Sequence, residues 1–217
     1  MINNIELIAQ SALRIEYNSL IIYFDPYLIN NYQNDADYIF ITHSHYDHFS
    51  QDDIYKIKKN NTKIIIPSDL EEKVNKMGFA NILLVQPNNS YHIDDINFTT
   101  VPAYNINKDF HKKTYNWVGY ILKLDEIIYV AGDTDNIIDI RNIKCDIACV
   151  PIGGTYTMDV EEAVELVKRI KPKICIPIHY HTIVGTVEDA YRFRKLLNNV
   201  TDVRVIMKEE TNDSNNK

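Results

Sequence analysis

Six consecutive residues, His43-Ser44-His45-Tyr46-Asp47-His48, place three imidazoles and a carboxylate directly behind the apolar run at 38–41. No other feature narrows the fold as much. Such a cluster needs a rigid strand end to fix its first ligand and a loop beyond it that can wrap an ion. In extended chain, residues two apart point the same way, so His43 and His45 can reach one cation together. The turn after them can aim Asp47 and His48 at a second. Imidazole nitrogen and carboxylate oxygen suit Zn²⁺, with Mn²⁺, Fe or Ni as alternatives. The whole chain has only seven histidines, which argues against three of six residues being a chance polar turn.

Two further segments have the same form. Tyr129-Val130-Ala131-Gly132-Asp133-Thr134 ends an apolar strand in Gly then Asp, a carboxylate that could bridge two cations. Cys175-Ile176-Pro177-Ile178-His179 ends another in a histidine. Alone, the first is more often a turn and the second more often a structural histidine. Both gain weight because sheet proteins gather functional groups at strand ends and in the loops beyond them.

The remaining pattern indicates what carries those strand ends. Apolar and alternating runs mark strands at Ile5–Ala9, Ala12–Tyr17, Leu20–Phe24, 38–41 and 63–66, then at 82–85, 96–101, 118–124 and 127–131. Later strands at 147–150, 173–177 and 203–207 alternate with helices. Ser50 is the expected N-cap of a short helix, with Asp53 in its first turn and Phe49 stapled against Ile54. Ser68-x-x-Glu71 reads as the capping box of the next helix, with Leu70, Val74 and Met77 on one face. Val160, Ala163, Val164, Val167 and Ile170 recur at helical spacing, and Thr186 opens a last helix. This order fits two sheets packed face to face and covered outside by helices. No linker or repeat divides the chain, so one domain is expected over 1–207 and a disordered polar tail over 208–217.

Composition excludes several classes. The formal charge is −7, so no broad basic field would attract nucleic acid. The apolar runs fall far below the roughly 20 residues of a membrane span. Residues 1–6 carry neither the basic nor the apolar part of an export signal, so cytoplasm is the expectation. Cys145, Cys149 and Cys175, an odd number in apolar strand-like segments, read as small buried hydrophobes and not as a disulfide framework. The oligomeric state stays open.

HSHYDHFS resembles the HxHxDH signature of the metallo-β-lactamase superfamily. AGDT at 131–134 and PIHYHTIVGT at 177–186 resemble its later motifs. PIGGTYTMDVEEAVEL at 151–166 resembles the small bacterial hydrolases related to the ascorbate-6-phosphate lactonases and the N-acyl phosphatidylethanolamine phospholipase D. The likeness runs from about residue 5 to residue 206. It implies an α/β fold, a four-layer αβ/βα sandwich of two mixed sheets with helices on the outer faces and two divalent metal ions at one edge. One ion would take His43 and His45, the other Asp47, His48 and His179, with Asp133 as the bridge. There is one departure. Where relatives carry a histidine after a central strand, in a segment like A-F-H, this chain has Ala103-Tyr104-Asn105. An amide oxygen is a weaker ligand than imidazole, so His111, six residues on, or water is left to fill the vacancy, and the first position is expected to bind its metal more loosely or to lack it as purified.

The implied chemistry is hydrolysis of an ester, lactone or phosphodiester of a small anionic molecule by a metal-activated water. Asp47 would orient that water and accept its proton. His111 and His181 are further candidates for proton transfer, His181 being equally a structural residue. Neither a G-x-S-x-G motif nor a reactive thiolate offers another nucleophile. The loop 105–117, with Lys108, Lys112, Lys113, Tyr115 and Trp117, is either a lid that neutralises an anionic substrate or a solvated basic loop. Asn105, Lys112, Trp117 and Tyr156 are the candidate substrate contacts. Gly153-Gly154-Thr155-Tyr156 either holds an anion at a helix N-terminus or makes a tight strand-to-helix turn. The alternative to an enzyme is a catalytically weak protein of the same fold that binds metal or a metabolite.

Overall fold

Residues 5–206 are described by the computed structural model. Strands β1 (Ile5–Ala9), β2 (Ala12–Tyr17) and β3 (Leu20–Phe24) form an antiparallel meander. Strands β4 (Ala36–Phe40), β5 (Lys58–Pro67) and β6 (Asn81–Val85) extend it in parallel, so the first sheet runs in chain order. The second sheet repeats that plan. Strands β7 (Ser90–Ile93), β8 (Ile96–Pro102), β9 (Val118–Lys123) and β10 (Ile127–Val130) are antiparallel, and β11 (Ile147–Pro151), β12 (Ile174–Ile178) and β13 (Asp202–Val203) follow in parallel. Parallel neighbours need crossovers. Helices α1 (Gln51–Ile57), α2 (Glu71–Lys76), α3 (Val160–Ile170) and α4 (Val187–Leu196) lie in four of them.

The period-two alternation sorts side chains between layers. Phe40 meets Phe98 and Tyr120 of the other sheet edge-on, each at 5.2 Å between ring centroids, and Phe24 reaches Tyr120 at 5.8 Å. Their chain neighbours Tyr23, Ile39 and Ile41 join a separate cluster with Ile54 and Ile57 of α1 and with Leu70, Val74 and Met77 around α2. Val164 and Val167 of α3 and Phe193 of α4 pack into the core that includes the buried Cys149 and Cys175 of β11 and β12. Each such buried side chain is worth about 1.5–3 kcal/mol. The result is a helix–sheet–sheet–helix sandwich, the expected architecture.

Ser50 caps α1 as expected, its side chain accepting from Asp53 N at 3.4 Å. Other local expectations need correction. The Ser68–Glu71 capping box does not form, because Ser68–Leu70 makes a 3-10 turn and α2 begins only at Glu71 without a side-chain cap. Strand β7 was not anticipated; its residues are exposed or half-buried and carry only a faint apolar signal. Cys145 is half-buried in the approach to β11, and all three cysteines are free. The strand expected at 203–207 is reduced to Asp202–Val203. Met207 and the tail expected to be disordered at 208–217 lie outside the described residues. Among the described residues no helix is long and apolar enough to cross a membrane.

The topology places the site. Strands β3 and β4 run the same way, so their C-terminal ends share one edge of the first sheet. Strand β8 is antiparallel to β9 and β9 to β10, so β8, β10, β11 and β12 also share a direction. Crevices beyond the carboxyl ends of strands are where open sheets collect ligands.

Candidate metal centre

Segments distant in sequence converge at these strand ends. β4 delivers Thr42 and His43, and the chain then turns tightly, with His48 N and Phe49 N donating to His45 O at 3.1 and 2.8 Å. The turn folds His48 back until its ring lies 4.0 Å from that of His43. Beyond β10, Gly132 at φ +65° redirects the chain, and a Cβ there would meet Val118 O at 3.0 Å. Asp133 follows and takes the centre. Its Oδ2 lies 3.0 Å from His179 Nε2, 3.2 Å from His111 Nε2 and 3.8 Å from His43 Nε2, while Oδ1 lies 3.3 Å from His48 Nε2.

Three overlapping donor groups result: His43, His45 and His111; His43, His48 and Asp133; and Asp47, His48 and His179. Within each, the ligand atoms lie within 4.8 Å of one another. The donor chemistry fits one or more cations of the Zn²⁺ type. So do two orphans: His48 Nε2 and Asp133 Oδ1 are buried without a hydrogen-bond partner among the described residues, a costly state that a cation between them would relieve.

The charges agree. Burial, reinforced by His48, holds His43 well below the ordinary imidazole range despite the pull of Asp133, leaving it a neutral donor. Burial works against the Asp133 charge, but His179 and His48 outweigh it and hold that carboxyl well below the usual range. Asp47 behaves alike, burial being overcome by its hydrogen bond and attraction to His48. Burial also opposes a charge on His48, yet Asp133 and Asp25 outweigh it and lift its pKa well above normal. The surroundings of His48 therefore favour positive charge, whether proton or metal.

Sequence reasoning missed the residues behind the donors. Asp25 is fully buried just past β3; it accepts from Thr42 N at 2.8 Å and Thr42 Oγ1 at 2.7 Å, and its Oδ2 lies 2.8 Å from His48 Nδ1. A carboxylate behind a ligating histidine fixes the tautomer that presents the other nitrogen to a metal. The strand-end rule that picked Asp133 and His179 applies equally to Phe24-Asp25. Gln10, in the turn after β1, donates from Nε2 to Asp47 Oδ2 at 3.3 Å, and its backbone carbonyl accepts from His179 N at 2.7 Å.

Other expected residues lie elsewhere. His111 enters the donor set, whereas Asn105 lies behind it, buried, with Oδ1 2.8 Å from His111 Nδ1. Asn105 is therefore engaged within the chain and is not an open substrate contact. Trp117 is buried against His43 and His45 at 4.8 and 4.9 Å, its Nε1 donating to Asp69 at 2.9 Å. Lys108 is tied to Asp135 and to Thr157 O, and Lys113 to Tyr104 and Asp139. Two of the three loop lysines are thus occupied by their own chain, which weakens the cationic-lid expectation; Lys112 is exposed. Tyr156 packs edge-on against Phe110 at 4.7 Å. His181 is exposed and stands outside the three donor groups.

Gly153-Gly154 is a tight turn, with Gly154 N donating to Met158 O and Thr155 N to Gly153 O. Helix α3 starts only at Val160, and an Asp159–Glu162 capping box closes its N-terminus. Gly153 has a steric role instead: a Cβ there would lie 2.3 Å from His179 O and 3.0 Å from His179 Nδ1. Gly153→Ala should therefore push His179 from Asp133 and cost about 1–3 kcal/mol from overpacking. Metal analysis beside thermal melting tests this; full metal loading at unchanged stability would show that the backbone yields.

The family model described as "Beta-lactamase superfamily domain" matches residues 4–179. A UPF0173 metal-dependent hydrolase of Nanoarchaeum equitans is 35% identical over 200 residues, covering 88% of this chain and 90% of the relative. One of Thermoplasma acidophilum is 34% identical over 188 residues, covering 81% and 83%. Among solved structures, a metallo hydrolase of Ignicoccus hospitalis superposes with a TM-score of 0.79 at 24% identity, covering 95% of each chain; at that identity the likeness speaks for the fold.

Proposed function

The chain belongs to the beta-lactamase superfamily, among its metal-dependent hydrolases, and from that premise we propose that it cleaves an ester, lactone or phosphodiester of a small molecule. The observation carrying this reading is the position of Asp133, one carboxylate within 3.8 Å of four imidazoles supplied by three separate parts of the chain. In this reading His43, His45 and His111 would hold one divalent ion and Asp47, His48 and His179 another, with Asp133 within reach of both donor groups. Zn²⁺ suits the imidazole-rich set, and Mn²⁺ or Fe are the alternatives. Bound there, such ions would supply the Lewis acidity that lowers the pKa of water to about 7 and offsets charge developing on a carbonyl or phosphoryl oxygen.

The chain's own groups complete the task. Asp47, ionised and steadied by Gln10 Nε2, accepts a proton at its carboxylate. Trp117 shields one side of His43 and His45 from water. The aromatic pairs Tyr27–Tyr46, Phe110–Tyr156 and Tyr115–Trp117 involve residues in or beside the cluster segments, so an apolar substituent near the scissile bond is what they can grip.

Metal analysis with a panel of p-nitrophenyl esters, phosphodiesters, phosphomonoesters and lactones tests the proposal. The expected result is about two ions per chain and turnover of at least one class, lost on chelation and regained with Zn²⁺ or Mn²⁺. Loaded protein that leaves the whole panel intact would favour a metal- or metabolite-binding module.

A further inference from the structure

We propose that Asn105 is a positioning residue for His111: its side-chain oxygen dictates which ring nitrogen of His111 faces the metal, and Asp135 dictates which way the Asn105 amide points. The inference rests on the reading of His111 as a metal-holding residue.

His111 has no strand to aim it. It sits in the irregular stretch between β8 and β9, unlike His43 and His179, which leave strand ends. Two bonds to Asn105 take the place of a strand: Asn105 N donates to His111 O at 2.8 Å, and Asn105 Oδ1 lies 2.8 Å from His111 Nδ1. An amide oxygen only accepts, so Nδ1 must carry the proton. In the neutral ring, the form that binds a metal, the lone pair is then on Nε2, which lies 3.2 Å from both Asp133 Oδ2 and His45 Nδ1.

An amide could present its nitrogen instead and reverse this arrangement. Asp135 forbids that. Asn105 Nδ2 donates to Asp135 Oδ1 at 2.9 Å, and an ionised carboxylate cannot donate in return. Asp135 is itself held by Ile106 N at 2.8 Å and by the Lys108 ammonium, which also reaches Thr157 O at 2.7 Å. Asn105, His111 and Asp135 are 7%, 1% and 4% exposed, so water competes little with the relay. Every bond from Lys108 to His111 then has one permitted direction. At the position where the sequence suggests a missing ligand, the chain instead keeps a residue that orients the ligand six residues on.

The test uses the full chain as wild type, Asn105→Ala, Asn105→Asp and the exchange Asn105→Asp/Asp135→Asn. Histidine ¹⁵N NMR of metal-free protein reads the His111 tautomer, zinc competition against a chromogenic chelator reads affinity, and thermal melting checks the fold. Wild type should show His111 protonated at Nδ1. Asn105→Ala should mix the tautomers and weaken zinc at one position by about 10–100-fold. Asn105→Asp sets two carboxylates side by side, one of which must take a proton, and should also lose affinity. The exchange restores one amide and one carboxylate and should recover both tautomer and affinity. An unchanged tautomer and affinity in Asn105→Ala, or an exchange no better than Asn105→Asp while folded, would overturn the relay. If His111→Ala leaves zinc binding intact at both positions, the site reading itself fails, a separate result.

Discussion

Asp133→Asn is expected to cut hydrolysis by roughly 10³-fold, the upper scale for removing one preorganised electrostatic group from a water-excluded site. The substitution keeps shape and volume, so the fold should persist. It removes the one negative charge facing His43, His48, His111 and His179 together, at a residue only 3% exposed. The amide has one oxygen where the carboxylate has two, so it cannot turn an acceptor toward both positions. Metal content should fall in parallel, and it separates lost binding from lost chemistry. A variant with full loading and wild-type kcat would remove Asp133 from the mechanism.

The second large effect is on stability. Asp25→Ala should cost about 3–5 kcal/mol, the range for stripping one partner from a buried charged pair, and lower Tm by about 2–4 °C per kcal/mol in a chain of this size. The substitution strands Thr42 N, removes one of the partners of Thr42 Oγ1 and leaves His48 Nδ1 without its carboxylate, in a fully buried setting. Because His48 then loses its orienting partner, metal affinity should drop by about 10–100-fold as well. Calorimetry with zinc titration measures both. Equal stability with intact affinity would mean that His48 is aimed by its tight turn alone.

Much of this centre was legible because apolar strands announce their own ends. His43, Asp133 and His179 each follow such a run, and the tendency of sheet proteins to gather functional groups at strand ends, together with the resemblance of their segments to the superfamily's motifs, singled them out. The rule should have yielded Asp25 too, but Phe24-Asp25-Pro26 reads as easily as an ordinary turn. His111 could not be placed from spacing. It reaches the cluster through an irregular loop, whose course is set by the Asn105–Asp135 contact across thirty residues of sequence. The donors were local in character; the groups that orient them are long-range pairings, which a pattern along the chain does not encode. The Ser68 cap failed for a related reason, since a 3-10 turn and a first helical turn share the same residues.

The repeated plan of the two sheets has a mechanical consequence. The half up to β6 contributes His43, His45, Asp47 and His48, while the half from β7 contributes His111, Asp133 and His179. Each proposed coordination shell draws on both halves, so an ion seated there would rivet one layer to the other. Any slip of the layers past each other would loosen both shells at once, and stripping the ions would free the layers to shear.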